Sequence, residues 1–256
     1  METFIALEKI AAPAKQTHIH GSTKVEVIPD TECVDQDTYE VSLRDYAHVM
    51  KFKKEDIPLH AYLVEVGNLK IPSTTAIFNM SSATDCPSLK LGLCQAVKDG
   101  KNVCYAMKAE RSYRPNVLPY RRRQALYWKN ISAKDFASQF LLINAIKLPS
   151  KRFTALRFNE AGDFQTQSQL EKAEQIARYL KKHNVTVYCY TARRDLDFSV
   201  CRDLVINGSG FMVNGSEFRF ITDIKDRPKG YAVCPMDCRI CNRCQKKGSK
   251  VVVLKH

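Results

Sequence analysis

Residues 153–190 have the sequence FTALRFNEAGDFQTQSQLEKAEQIARYLKKHNVTVYCY, and this stretch decides the fold class. Its first six residues and its last six are short apolar runs rich in β-branched and aromatic side chains, which predicts two strands. Between them, residues 167–182 carry apolar side chains at helical spacing, at Leu170, Ala173, Ile176, Ala177 and Leu180. A strand, a helix and a second strand in this order predict two parallel strands joined by a crossover helix.

The same alternation extends in both directions along the chain. Further strands are predicted over residues 76–80, 218–221 and 251–254, and further helices over 116–129, 133–147 and 196–204. The expected fold class is therefore α/β, an incomplete (β/α) barrel with cysteine-rich loops. Residues 1–65 have mixed strand and turn character, so the chain is divided into an N-terminal segment, 1–65, and an α/β cysteine-rich domain, 66–256.

Composition narrows the class of protein. Lys and Arg number 40 against 27 Asp and Glu, a formal charge of +13, which favours contact with a polyanion such as nucleic acid. No apolar run is long enough to span a membrane, and the first residues lack the pattern of a secretory signal. We therefore expect no membrane partner and a cytoplasmic location. The alternative to nucleic-acid contact is a basic surface that only keeps the protein soluble.

The ten cysteines form one tight run, one looser group and three isolated residues. The run is Cys234, Cys238, Cys241 and Cys244, with the spacing C-x3-C-x2-C-x2-C and a proline directly after its first cysteine. Four thiolates so close together are typical of an iron–sulfur cluster, whereas zinc sites more often use two separated pairs. A [4Fe–4S] cluster is expected here, with zinc as the alternative. Cys33, Cys189 and Cys201 are predicted to be small core side chains.

The looser group is Cys86, Cys94 and Cys104, spaced C-x7-C-x9-C. Three thiolates can hold a second [4Fe–4S] cluster whose fourth iron stays open to a substrate or cofactor. Two alternatives remain at this point: the group shares a site with a ligand from elsewhere, or its members are buried thiols. The prediction is thus one or two clusters bound by seven cysteines.

Polar residues follow the predicted strands where an α/β fold places its chemistry. Asn159, Glu160 and Asp163 follow one strand, Thr191, Arg193 and Asp195 follow the next, and residues 207–210 form a further polar stretch. Glu160, Asp163 and Arg193 are candidate catalytic residues, and Asn159, Glu160 and Thr191 are candidate cofactor-binding residues. In the alternative interpretation Asp163 and Asp195 cap the helices that follow them.

A basic and aromatic segment follows Cys104. Its arginines interleave with tyrosines and a tryptophan, a combination that suits phosphate contact and base stacking. The candidate nucleic-acid-binding residues are Arg114, Arg121, Arg122 and Arg123. The alternative is an ordinary helix with its charges in water.

Several motifs resemble a family of bacteriophage proteins, the gene-product-eighty-eight family. They are Asp85-Cys86-Pro87, Cys104-Tyr105-Ala106, residues 119–124, residues 157–164, Tyr190-Thr191-Ala192-Arg193 and the final cysteine run. The resemblance covers roughly residues 66–256 and implies a phage-encoded iron–sulfur protein in the infected host cell. It implies no established activity.

The order of elements also has a distant likeness to radical S-adenosylmethionine enzymes, in which a three-cysteine loop follows the first strand. Those enzymes space the loop C-x3-C-x2-C, and this chain has that spacing only at Cys234, Cys238 and Cys241. The likeness implies a redox enzyme that binds adenosylmethionine and acts on or near nucleic acid. Two other functions fit the residues: a nucleic-acid-binding module with structural metal, and a nuclease in which Glu160 and Asp163 hold Mg²⁺.

Overall fold

A computed structural model describes residues 53–65, 69–94, 97–98, 101–102, 104–113 and 116–254. The predictions for Cys33, for Arg114 and for most of the segment 1–65 lie outside these residues.

Seven strands form one sheet in which every pairing is parallel. The spatial order is β1-β4-β5-β6-β7-β9-β8, so the sheet grows along the chain in one direction and only the last two strands exchange places. A separate antiparallel pair joins β2 to β3. The strands are β1 Thr75–Phe78, β2 Val97–Lys98, β3 Lys101–Asn102, β4 Ala155–Phe158, β5 Thr186–Thr191, β6 Val205–Ser209, β7 Glu217–Ile221, β8 Ala232–Val233 and β9 Lys250–Leu254.

Five α-helices accompany the strands in the described ranges: α1 Pro87–Lys90, α2 Tyr105–Ser112, α3 Val117–Asn130, α4 Ala133–Ala145 and α5 Gln167–Lys181. Two of them begin at a side-chain cap, since Ser132 accepts a hydrogen bond from Asp135 N and Thr166 accepts one from Gln169 N. The buried side chains of α5 are at helical spacing, so α5 packs one face on the sheet and on α4.

The main core lies on one face of the sheet, which we call the helix face. Phe78 and Phe158, opposite each other on β1 and β4, contact Trp128 of α3 and Phe136 of α4 at ring distances of 5.1–6.4 Å. Ile57, Leu59 and Leu63 belong to the same core. The boundary drawn at residue 65 therefore does not coincide with a boundary of the core.

The opposite face of the sheet, which we call the loop face, carries polar and aromatic side chains. The strand register aligns Ile77, Arg157, Tyr188 and Val205 across four strands, and it aligns Tyr190 with Asn207 one step further on. The C-terminal part of the chain lies over β5 and β6 and covers these residues. The helix face therefore packs the main core, whereas the loop face contacts the C-terminal part of the chain.

The predicted α/β class is confirmed, and the sheet is open rather than a closed barrel. The helix predicted over residues 196–204 is wrong, because this segment has turns and bends only. The backbone N–H groups of Asp203 and Leu204 donate to the buried carboxylate of Glu174 instead of to helical carbonyls. Cys201 and Leu204 are still buried, and Cys189 is fully buried in β5, as a core role requires. Residues 207–209, which belong to the polar stretch 207–210 named above, lie in β6.

Candidate functional site

Residues 234–244, which we call the C-terminal cysteine loop, are fastened over the loop face. Cys234 N donates to Val252 O of β9 at 2.8 Å, and Cys238 N donates to Lys70 O at 2.8 Å. At the far end, Asn207 Nδ2 of β6 donates to Cys244 O at 2.9 Å. The loop is therefore held at its start, middle and end by three separate parts of the fold.

All four thiols of this loop are free and partly buried. Burial raises the pKa of the Cys244 thiol to about 11, and the charges of Cys234, Cys238 and Cys241 act in the same direction. The four sulfurs are thus close enough to influence one another. Two donors point at sulfur: Met236 N lies 3.4 Å from Cys234 Sγ, and the Tyr190 hydroxyl bonds to Cys244.

The donor set of this loop consists of four thiols. Thiolates are ligands of both [4Fe–4S] clusters and structural zinc ions, so the donor chemistry of these residues fits either centre. Within the described residues, no group of three or more His, Cys, Asp or Glu side chains has the geometry that holds a metal ion.

Several tyrosines surround Arg157 near the end of β4. Tyr105, the first residue of α2, is 60% exposed, and desolvation by the surrounding protein raises the pKa of its hydroxyl. That hydroxyl donates to Glu160 O at 2.8 Å. The Arg157 guanidinium lies over the Tyr190 ring at 5.0 Å from its centroid. Arg157 therefore has Tyr105 and Tyr190 as neighbours.

The first cysteine group lies at the carboxyl ends of β1 and β4. Cys86 precedes α1 and Cys104 precedes α2, each as the N-cap residue, while Cys94 follows α1 and donates its N–H to Ser88 O at 3.1 Å. Cys104 packs on a small apolar cluster formed by residues of both strand-end loops and of α2. Burial raises the pKa of the Cys86 thiol to about 12, and the charges of Asp163 and Cys94 add to this. Cys86 and Cys94 are therefore neighbours.

Asp163 is a buried structural hub. Its two carboxylate oxygens accept four hydrogen bonds of 2.6–2.9 Å, from the hydroxyls of Ser88 and Thr191 and from the backbone of Phe164 and Ala192. Burial raises the pKa of Asp163, against the effect of these donors. Every oxygen lone pair has a partner, so this predicted catalytic residue joins α1, β4 and β5 and leaves no position for a metal ion or substrate.

Three other predicted site residues also serve the framework. Arg193 forms a two-bond pair with Asp195 at 2.8 Å each and donates to the backbone oxygens of Phe164 and Gln165. Thr191 donates to Asp163. Asn159 has φ +60° and accepts from Met80 N at 3.1 Å. Glu160 lies near Tyr105 and Arg157 and influences both. Neither Asp163 nor Asp195 caps a helix, since the N-cap residue of α5 is Thr166 and no helix lies between β5 and β6.

The predicted nucleic-acid-binding arginines separate into two kinds. Arg121 is buried and donates to Glu110 Oε1 at 3.0 Å and to Ala106 O at 2.9 Å, a position that does not fit phosphate contact. Arg122 is exposed and pairs with Asp85 at 2.8 Å, next to Cys86. Arg123 is exposed. Of the three predicted arginines on α3, two are therefore exposed.

Sequence reasoning missed Glu110, Arg157, Tyr188, Tyr190 and Asn207. Glu110 anchors the loop before Cys86, because its carboxylate accepts from Ala83 N and Thr84 N at 2.7 and 2.9 Å. A signal existed for Arg157, since it is a charged residue in the middle of an otherwise apolar strand. The others are recognisable only once the strand register is known.

Fold and sites together define a parallel α/β protein with one group of cysteines at the carboxyl ends of β1 and β4 and a second group on a loop over β5 and β6. The family model that describes Gene product 88 matches residues 42–210, and the chain belongs to this family of phage gene products. The match begins earlier than the expected residue 66 and ends before the C-terminal cysteine loop. The family relation thus rests on the sheet and on the first cysteine group.

A comparison with curated proteins and one with solved structures found no match. Among the described residues, no helix is both long enough and apolar enough to cross a membrane.

Proposed function

We propose that this protein is an iron–sulfur protein in which Cys234, Cys238, Cys241 and Cys244 hold a [4Fe–4S] cluster. One observation carries the proposal: four free, mutually influencing thiols on a loop that three parts of the fold fasten in place. A loop of 11 residues held this firmly presents its thiols without first having to order itself. Bound there, the cluster would supply one-electron transfer.

The surrounding residues of the chain have defined roles in this proposal. Met236 N–H and the Tyr190 hydroxyl donate to ligand sulfurs, which fixes their orientation and stabilises their negative charge. Tyr188 and Tyr190 lie on β5 under this loop, where they would exclude water from a bound cluster. Free thiols suit a reducing compartment, so the proposal places the protein in the cytoplasm of the infected host cell.

The first cysteine group is proposed as a second cluster site with three protein ligands. Its support is its position at the carboxyl ends of β1 and β4, near Tyr105 and Glu160. An iron without a protein ligand would be open to adenosylmethionine or to a substrate, which gives the radical-enzyme form of the proposal. Glu160 is the side chain proposed to bind such a ligand. Asp163, Thr191, Asn159 and Arg193 act in this form as positioning residues of the loops around it.

A nucleic-acid-binding module with structural metal is the second candidate function. The formal charge of +13 and the exposed Arg122 and Arg123 on α3 favour it. A Mg²⁺-dependent nuclease is not favoured, because all acceptor positions of Asp163 are taken by protein donors.

The decisive experiment is anaerobic purification of the full chain, followed by a visible spectrum and by iron, sulfide and zinc analysis. Cys241→Ser removes a ligand of the C-terminal loop, Cys94→Ser removes one from the first group, and Cys201→Ala removes a core thiol as the matched control. We expect broad absorbance near 400 nm and about eight irons per chain, one cluster of four for each group. Each ligand variant should lose about four irons, and Cys201→Ala none.

Other results separate the versions of the proposal. About four irons, lost in Cys241→Ser and kept in Cys94→Ser, would support the C-terminal cluster and contradict the second one. A colourless protein that carries zinc would contradict the iron–sulfur proposal and favour the nucleic-acid-binding module. Full iron in both groups without reductive cleavage of adenosylmethionine would contradict the radical-enzyme form alone.

A further inference from the structure

One charged side chain on the loop face keeps a buried N–H group without an acceptor. Arg157 lies in the middle of β4, and its buried Nε has no hydrogen-bond partner among the described residues. A buried guanidinium N–H without an acceptor costs free energy, so its retention in a strand centre calls for a partner that binds there. The neighbours on its own strand face offer no carboxylate pair, since the register places Ile77 and Tyr188 beside it.

The position of Arg157 points to the cysteine loop. Its guanidinium lies over Tyr190, whose hydroxyl bonds to Cys244. The strand register aligns Tyr190 with Asn207, whose Nδ2 donates to Cys244 O at 2.9 Å, so the last cysteine of the loop lies over the same two strands. Arg157 is therefore on the face of the sheet that the C-terminal cysteine loop covers.

We propose that Arg157 is the positioning cation of the C-terminal cluster: its unpartnered Nε–H donates to cluster or thiolate sulfur and raises the reduction potential of the cluster. This inference rests on the proposed function. A cluster with four thiolates is an anion, and it becomes more negative by one charge when it takes up one electron from an external reductant. A fixed positive charge and an N–H donor at its sulfurs stabilise the reduced form more than the oxidised one. Arginine keeps its proton throughout, and no bond is formed or broken.

The alternative partner for this guanidinium is the carboxylate of Glu160, which lies close enough to influence it. Glu160 is partly exposed, and its backbone oxygen accepts from the Tyr105 hydroxyl. The Nε–H of Arg157 is buried and has no acceptor among the described residues, Glu160 included. A sulfur acceptor over the loop face would satisfy it. The cluster is therefore the partner that the burial pattern favours.

The test is an electron-paramagnetic-resonance redox titration of the reconstituted full chain and of three variants. Arg157→Gln removes the charge, Arg157→Lys keeps the charge but moves the donor, and Arg178→Gln removes a charge from the exposed side of α5 as the control. We expect a clearly more negative midpoint potential in Arg157→Gln, a smaller shift in Arg157→Lys and none in Arg178→Gln. Iron content should stay at the wild-type value in all three.

Two results would overturn the inference without touching the proposed function. One is an unchanged midpoint potential in Arg157→Gln with full iron content. The other is loss of iron from both Arg157 variants with an unchanged circular-dichroism spectrum, which would make Arg157 necessary for holding the cluster instead of tuning it. Wild-type protein without iron would be a failure of the proposed function itself, so the two failures are distinguishable.

Discussion

The two cysteine groups are held by different parts of the molecule. Cys86 and Cys104 begin helices that follow the ends of β1 and β4, and the loops around them are fastened to the buried carboxylates of Asp163 and Glu110. The C-terminal loop instead lies over β5 and β6 and is held by hydrogen bonds to β9, to Lys70 and to β6. The family match includes the first group and ends before the second.

This difference predicts that variants of the two regions change different properties of the protein. Changes near the first group disturb buried hydrogen bonds and should lower the stability of the whole domain. Changes near the C-terminal loop should alter what the loop binds and leave the sheet intact. Matched pairs of variants, one from each region, test whether the two regions differ in this way.

Glycine replacement should give the largest difference in the free energy of unfolding between the two regions. Gly162 has φ +74°, and an added Cβ would lie 2.1 Å from Ser81 Oγ and 2.4 Å from Ser81 O. Gly162→Ala therefore combines left-handed strain with overpacking, and we expect the free energy of unfolding to fall by about 3 kcal/mol or more. Gly248→Ala, near the C-terminal loop, has φ +75° with no atom within 4 Å, so strain alone should cost about 1 kcal/mol. Urea denaturation measures both, and equal losses would contradict the distinction.

The next pair of variants removes one carboxylate charge from each region. Asp163→Asn replaces two acceptor oxygens by one oxygen and an amide whose hydrogens face hydroxyl and backbone donors. We expect a loss of about 2–4 kcal/mol in unfolding free energy, because buried donors are left unsatisfied. Asp237→Asn breaks a surface pair with Arg239 in the C-terminal loop and should leave stability unchanged within error. Thermal melts and urea titration of both variants test this, and an unaffected Asp163→Asn protein would remove Asp163 from its role as a hub.

The stability that the first region contributes should also depend on pH. Burial raises the pKa of Glu110, but hydrogen bonds from Ala83, Thr84 and Arg121 outweigh it, so its pKa is below the ordinary 4.5. A carboxylate with a lowered folded pKa stabilises the fold above its unfolded pKa, and this contribution is lost as the pH falls through the folded value. Glu110→Gln should therefore be much less stable than the wild type at pH 7, and the difference should shrink below pH 4.5.

The control for this measurement is Glu171→Gln, which removes an exposed carboxylate from α5. Its difference from the wild type should be small at every pH. If the Glu110→Gln difference stayed constant from pH 7 to pH 3, the carboxylate charge would not be what holds the loop before Cys86.

Local pattern was sufficient for the fold class. The helical spacing of Leu170, Ile176 and Leu180 predicted α5 to within one residue, and the apolar runs predicted the strands on both sides. The helix predicted over 196–204 failed because Glu174, about 30 residues away, captures the backbone N–H groups of Asp203 and Leu204. β6 was missed because Asn207 and Gly208 are unusual in a buried strand.

In the candidate site too, local features could be predicted from the sequence and contacts between distant residues could not. Cysteine spacing was sufficient to single out both groups, since ligand spacing is a local property. The state of Asp163 and of Arg121 could not be predicted, because their partners Ser88 and Glu110 come from other elements. Arg121, Arg122 and Arg123 are consecutive and equally basic in the sequence. On the helix, however, Arg121 is buried, whereas Arg122 and Arg123 are exposed.

The smallest expected effect concerns those arginines and the nucleic-acid-binding alternative. Arg122→Ala/Arg123→Ala should keep wild-type stability, since exposed ion pairs contribute little, and the slope of log affinity for duplex DNA against log salt should decrease by about 2. Arg121→Ala should instead lower stability by about 3–5 kcal/mol, because it leaves the Glu110 carboxylate buried without its cation. Fluorescence anisotropy with a labelled duplex at several salt concentrations measures the slope. An unchanged slope in the double variant would show that α3 does not contact phosphate, and the basic charge of the chain would then serve a different surface.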